Sequence, residues 1–200
     1  MFKRSAVYMM MILFLATNVR AAVTNGVTEE VKKAVDEVVR IVSDKEMKKN
    51  DQKRRQALKK TISTIFDYNE MAKRSLGKHW NPRSAAEKKQ FAELFASLLE
   101  NSYASKIESY NNEKIVYLKE STDSDHAEVK SKVVTAKRDE FTLDYRMINQ
   151  DGKWMVYDVV IEGVSLVSNY RTQFNKIITT NGYPELVKKL QTKTDELKAP

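Results

Sequence analysis

Residues Tyr157 to Phe174 read YDVVIEGVSLVSNYRTQF, and the way this stretch divides decides the fold. Val159, Val160 and Ile161 form a β-branched apolar run suited to a strand, and because they are consecutive they make that strand apolar on both faces. Gly163 interrupts the run. Beyond it Leu166, Tyr170, Phe174, Ile177 and Ile178 recur at helical spacing, so a second apolar stripe follows the strand almost at once. A strand that needs cover on two sides, joined to a helix that needs cover on one, implies packed layers of sheet and helix.

Upstream, Asp151-Gly152 separates FTLDYRMINQ from KWMVYDVVIEG, and this dipeptide suits the two-residue type I′ turn of a hairpin. The turn predicts pairing of Met147 with Val156, Tyr145 with Asp158 and Leu143 with Val160. Phe141, Leu143, Tyr145, Met147, Trp154, Val156 and Val160 then share one face. Arg146, Ile148, Met155, Tyr157, Val159 and Ile161 fall on the other, which is half apolar too. Two more period-two segments, KIVYLKES and HAEVKSKVVTA, precede the hairpin and read as further strands.

The rest of the chain has helical period. Val31, Val35, Val38 and Val42 mark one amphipathic face, and a second helix is expected over Asp51–Phe66. Asp67 with Glu70 and Ser84 with Glu87 are helix-start signals, and Gly77 is a stop. The helix begun at Ser84 runs to about Tyr110. Its apolar positions, among them Phe91, Phe95, Leu98 and Leu99, cover more of the circumference than one narrow seam, so it faces more than one apolar surface. Pro184 opens a last short helix through Leu190. These elements predict one α+β domain over residues 22–200, a curved antiparallel sheet cupped by helices.

Residues 1–21, MFKRSAVYMMMILFLATNVRA, place Lys3 and Arg4 before an apolar run that ends at Ala16, with the small-residue pattern Val19-Arg20-Ala21 behind it. This reads as a secretory signal peptide, because the apolar core of about 12 residues is shorter than a membrane span. No cysteine occurs in the chain, so neither a disulfide nor a lipid anchor on cysteine is available. The expectation is a freely diffusing periplasmic protein. The formal charge is +8 and falls to +5 once Lys3, Arg4 and Arg20 are removed, a balance better suited to anionic lipid headgroups than to nucleic acid.

Reactive chemistry is sparse. His79 and His126 are the two histidines, and neither sits in a pattern that marks a nucleophile's base. GVSLV at Gly163–Val167 ends in valine and so lacks the glycine of a hydrolase elbow. DSDH at Asp123–His126 holds potential metal ligands but lies in a polar connection where Asp and Ser are ordinary turn residues. No glycine-rich phosphate loop is present, and the basic runs lack interleaved aromatics, so no enzyme, metal, cofactor or nucleic-acid partner is expected. What remains is a surplus of large apolar side chains around a small sheet. An ordinary core and an internal apolar ligand cavity both account for it.

FDYNEMAKRSLGKHW (66–80), FAELFASLLENSYASKI (91–107) and above all DYRMINQDGKWMVYDVVIEGVSLVSNYRTQF (144–174) together resemble the MlaC, or toluene-tolerance, family of periplasmic phospholipid-binding proteins. The resemblance runs from about residue 28 to 190. It implies a fold similar to nuclear transport factor 2 in its sheet, with acyl chains held in an internal apolar cavity between sheet and helices. It implies phospholipid as cargo rather than a cofactor. The implied partners are an outer-membrane lipoprotein complex and an inner-membrane ABC transporter complex with a membrane-anchored, substrate-binding-type subunit, in a system that maintains outer-membrane lipid asymmetry. On this reading the strand and helix flanking Gly163 are adjacent walls of one cavity. The expected lining is Leu143, Tyr145, Met147, Trp154, Val156, Val160, Leu166, Tyr170 and Phe174, with Phe95 and Leu98 from the long helix. Asp158 and Arg171 are expected to form a structural ion pair bracing strand to helix. The alternative from another class is a periplasmic chaperone or assembly factor that holds apolar protein segments.

The signal-peptide reading predicts a mature N-terminus at or near Ala22. N-terminal sequencing of protein released from the periplasm checks it, and recovery of the intact N-terminus in a membrane fraction rejects it.

Overall fold

The computed structural model describes residues 26–198, so the expected signal peptide and its cleavage point lie outside the described residues. Five helices come first: α1 (Val27–Ser43), α2 (Lys45–Lys48), α3 (Asp51–Ile62), α4 (Tyr68–Leu76) and α5 (Ala85–Glu108). The strands follow as β1 (Lys114–Asp123), β2 (His126–Val134), β3 (Glu140–Gln150), β4 (Lys153–Ile161) and β5 (Val164–Ser165). The last helices are α6 (Leu166–Asn181) and α7 (Tyr183–Lys198).

Local chemistry sets most of these boundaries. The Asp67 carboxylate accepts the Glu70 N–H at 2.9 Å to start α4, and Gly77, at φ +56°, ends it. Ser84 and Glu87 cap α5 reciprocally, each side chain bonded to the other's backbone N–H at 3.2 and 2.8 Å. The polar α2, which has no apolar period to announce it, is held by Asp44, whose carboxylate accepts the Glu46 and Met47 N–H groups at 2.8 Å. The helix opened by Pro184 continues to Lys198, well past the short element expected. DSDH forms the turn between β1 and β2.

The sheet is antiparallel throughout, in the order β1-β2-β3-β4-β5. Asp151 and Gly152 both take positive φ, 52° and 86°, as a type I′ turn demands, and Met147 pairs with Val156 as expected. The expected register fails one residue further on. Tyr157 is an extra residue in β4, so Arg146 faces Asp158, Tyr145 faces Val159 and Leu143 faces Ile161. A bulge of this kind bends the strand and exchanges the two faces beyond it. Val159 and Ile161 therefore join Val156, Tyr145 and Leu143 on the concave face, while Asp158 and Val160 turn to the other side. A second irregularity in β1 between Tyr117 and Lys119 adds to the curvature. Glu162 and Gly163, at φ 49° and 76°, make another tight turn into β5, which the sequence reading did not foresee.

The bulge also corrects the expected ion pair. Asp158, 2% exposed, is bonded to the Arg146 guanidinium at 3.3 Å and accepts the Ser165 hydroxyl at 2.6 Å and the Val167 N–H at 3.0 Å. Arg171 is not its partner. Its Nε donates to the Arg74 carbonyl at 2.7 Å, closing the end of α4. Asp158 thus holds the first turn of α6 against β4. With Glu128 on the far side of Arg146 at 3.6 Å, the charges form a row across three strands.

Two apolar regions flank β4. In one, α4, α5, α6 and α7 pack around Phe91, Phe95, Phe174 and Leu186. In the other, the concave sheet face meets α1 through Val31, Val129, Tyr145, Met147, Val156 and Val159. The Val156 N–H and carbonyl are taken by the Ile65 carbonyl at 2.7 Å and the Asp67 N–H at 2.9 Å, so the segment entering α4 covers the outer edge of β4.

Asp158→Ala leaves a buried helix N–H and a half-buried hydroxyl without their acceptor and is expected to cost about 2–3 kcal/mol of stability. Arg146→Ala, at a half-exposed position, costs under about 1 kcal/mol. A double-mutant cycle by denaturant melting should find coupling between Asp158 and Arg146 and none between Asp158 and Arg171. Coupling to Arg171 instead would restore the discarded pair.

Candidate functional site

Between the concave sheet face and the helices lies a cavity of about 1010 Å³. Tyr145, Val156, Val159 and Ile161 floor it, and a valine stripe on α1, including Val31, Val35, Val38 and Val42, forms one wall. Leu58 and Ile62 of α3 with Leu99, Tyr103 and Ile107 of α5 complete the apolar surround. The polar lining gathers on Arg55, Gln56 and Lys59 from α3, on Ser97, Glu100, Asn101 and Lys106 from α5, and on Ser109 and Glu113 just beyond it. Lys59 Nζ meets Glu100 at 3.0 Å. Arg54 and Arg55 both reach Glu108 at 3.2 Å.

Of the residues expected to line such a space, Leu143, Tyr145, Val156 and Leu166 do face it. Met147 and Trp154 belong to the packed part of the same concave face. Val160 is buried on the opposite side of β4, a displacement the bulge explains. Phe95, Leu98, Tyr170 and Phe174 belong to the other core, where they pack with Phe91. Phe95 meets the Tyr170 and Phe174 rings edge-on at 5.2 and 5.5 Å, a dense arrangement with no room for a ligand. The strand and helix flanking Gly163 are therefore walls of two compartments, and only Leu166 at the start of α6 reaches the cavity.

The sequence reading passed over α1, α3 and the C-terminal half of α5 as lining. The four valines on α1 were visible as an amphipathic face, but a stripe does not say whether it meets side chains or empty space.

Burial marks the tyrosines of both compartments. It pushes the Tyr145 phenol well above its ordinary range, with the neighbouring Tyr117 adding to the effect. Tyr68 is raised by burial first and by the Glu100 carboxylate second. Tyr117, whose hydroxyl is buried with no hydrogen-bond partner, is pushed up to about 12, mainly by burial. Burial likewise raises Tyr103, Tyr170 and Tyr183. Uncharged phenols suit an apolar lining; as carboxylates in their place would not. Among the described residues, no group of three or more acidic, histidine or cysteine side chains is placed to hold a metal ion, and no helix is long and apolar enough to cross a membrane.

A family model described as MlaC protein matches residues 32–192. The intermembrane phospholipid transport system binding protein MlaC of Haemophilus influenzae is 30% identical over 121 residues, 58% of this chain and 56% of that protein. Toluene tolerance protein ttg2D of Pseudomonas putida is 26% identical over 128 residues, 63% of this chain and 60% of that one. The chain thus spans less than two thirds of the length of these curated relatives. The phospholipid-binding protein from Ralstonia solanacearum, solved in complex with a phospholipid, has a similar fold. It matches with a TM-score of 0.79 and 27% identity over 87% of this chain and 99% of its own.

A raised phenol pKa stabilises the fold below the ordinary tyrosine value of about 10, and that contribution is lost as pH climbs through the folded-state value. Alkaline titration followed by phenolate absorbance should therefore show Tyr68, Tyr103, Tyr117, Tyr145, Tyr170 and Tyr183 ionising late and together with loss of the fold by circular dichroism. Their smooth ionisation near pH 10 in a folded protein would contradict this burial.

Proposed function

The chain belongs to the MlaC family, and on that premise we propose that it is a periplasmic carrier moving phospholipid between the outer and inner membranes. The acyl chains occupy the cavity, and the headgroup stays at its polar rim on α3 and α5. The observation that carries this reading is the cavity itself. Its volume of about 1010 Å³ stands at the top of the range of ~300–1,000 Å³ usual for small-molecule sites. Its lining is β-branched and aromatic, as acyl chains require. The phospholipid bound by the Ralstonia protein and the transport system named for the Haemophilus protein support the same cargo. An outer-membrane lipoprotein complex as donor or acceptor, an inner-membrane ABC transporter complex with a membrane-anchored subunit as its counterpart, and the maintenance of outer-membrane lipid asymmetry complete the proposal.

Energetics dictate how the cargo leaves. Each methylene moved from an apolar site into water costs about 0.8 kcal/mol, so a diacyl lipid with on the order of 30 methylenes faces roughly 24 kcal/mol. Escape through water is too slow to be useful, and unloading needs an apolar path supplied by the acceptor. The loaded protein is expected to keep its lipid through long dialysis and to lose it at a rate that rises with acceptor concentration. Release at one fixed rate, with acceptor or with inert vesicles, would defeat this mechanism.

Val159→Asp places a carboxylate on the cavity floor and should lower co-purified phospholipid, measured by organic extraction and mass spectrometry, by about tenfold or more. Phe174→Leu, in the aromatic core, should cost about 1–2 kcal/mol of stability and leave the lipid load intact. A folded Val159→Asp protein with a full load would remove the cavity from the proposal. Wild-type protein purified without lipid would favour the chaperone alternative.

A further inference from the structure

The cavity has walls of unequal strength. The sheet floor is held by its strand ladders, with Ser131 and Asp144 bridging the interruption between β2 and β3, and behind β4 the rings of α5 and α6 pack edge-on. The α3 wall is different. Leu58 is its one buried side chain, and it packs in a small cluster with Ile41 and Val42 of α1, separate from both large cores. Towards α5, α3 reaches through charged side chains, Lys59 to Glu100 at 3.0 Å and Arg54 with Arg55 to Glu108 at 3.2 Å, beside Ile107 and Tyr110, which pack on the Leu58 cluster. Of these residues Arg55, Lys59 and Glu100 lie where α3 and α5 together contribute the polar rim of the cavity.

Both ends of α3 are built to bend. The chain enters it from the four-residue α2 through Lys49 and Asn50. It leaves through two overlapping four-residue turns, Thr64 N–H to the Thr61 carbonyl and Ile65 N–H to the Ile62 carbonyl, both 3.1 Å. Beyond that point Ile65 and Asp67 are fixed to β4, so motion of α3 stops at a firm post.

Resting on the reading of the cavity as a lipid site, we propose that α2 and α3 form its gate, latched to α5 by the Lys59–Glu100 and Arg54/Arg55–Glu108 ion pairs. Acyl chains enter and leave between α3 and α5 when the latch parts. Such a latch suits a carrier. Lys59 and Arg55 are 65% and 55% exposed, so their ends of the latch are open to salt and to competing charges on a docking surface, whereas Arg54 and Glu108, each 12% exposed, form its better shielded part.

The chain has no cysteine, which allows a clean test. Lys59→Cys combined with Glu100→Cys is bridged with a bis-maleimide carrying a reducible disulfide in its spacer. Uptake of a pyrene-labelled phosphatidylglycerol from micelles of a non-ionic detergent is then followed by fluorescence. The bridged protein should take up probe at least tenfold more slowly than the same protein after reduction, and bridged protein loaded beforehand should retain it. Equal rates before and after reduction, with probe bound in both, overturn the gate and leave the lipid site standing. Wild-type protein that takes up no probe overturns the lipid site and the gate with it. If the double variant does not fold, the wild type decides: its uptake should quicken several-fold between about 0.05 and 0.5 M salt as the pairs are screened, and a rate indifferent to salt overturns the latch.

Discussion

One carboxylate holds the junction on which both compartments depend. Asp158 leaves the bulge in β4, meets Arg146 across the strand and accepts the Ser165 hydroxyl and the Val167 N–H. It therefore satisfies the start of α6 at the point where the sheet hands the chain back to the helices. The same extra residue, Tyr157, that turns Asp158 outward turns Val159 and Ile161 inward. Curvature, face and helix docking are set within three residues. Without the bulge, a buried carboxylate would point into the apolar cavity, and Val160 would take the place of Val159 on its floor.

The two apolar compartments divide the work. Around Phe91, Phe95 and Phe174 the rings meet edge-on at 5.5–5.6 Å, and dense packing of this kind supplies stability. The other compartment withholds such contacts from its walls, and an unfilled apolar space costs stability in proportion to its volume. A domain can carry a large void only if a filled core elsewhere offsets it, and a ligand that fills the void restores the missing contacts. The disulfide-free chain thus packs Phe91, Phe95, Tyr170 and Phe174 together behind β4 and lines the hollow mainly with valine, isoleucine and leucine.

The sequence made several elements plain because each has a local cause. The caps at Asp67 and Ser84, the Asp151-Gly152 turn and the period-two strands are written in the residues that form them. The bulge is not. Val159, Val160 and Ile161 are all apolar, so sliding the alternation by one residue leaves the pattern equally consistent, and only the polar Asp158 hinted that its face was wrong. The placement of Phe95, Tyr170 and Phe174 was illegible for another reason. A helical stripe specifies that a surface is covered and is silent about what covers it, so stripes that fill a core and stripes that border a cavity look alike. Aromatic bulk was read as lining, although bulky rings serve better to fill space than to leave it open. The family resemblance reached the fold without resolving that ambiguity.

For a carrier that passes its cargo from one apolar site to another, the end states differ little in free energy, because the methylenes are out of water in both. The obstacle is the path. Exposing a whole diacyl chain costs roughly 24 kcal/mol, but sliding it between continuous apolar surfaces exposes only a few methylenes at a time, each worth about 0.8 kcal/mol. On the proposed reading, the protein's task is therefore to open one side of the cavity without dismantling the rest. The sheet cannot open without breaking its ladder, and the aromatic core cannot open without losing the packing that stabilises the domain. The segment left over is α3, which lies outside both large cores and is fastened by the small cluster around Leu58 and by ion pairs to α5, and on the proposed reading its lighter attachment lets the remaining walls stay rigid while the cargo moves.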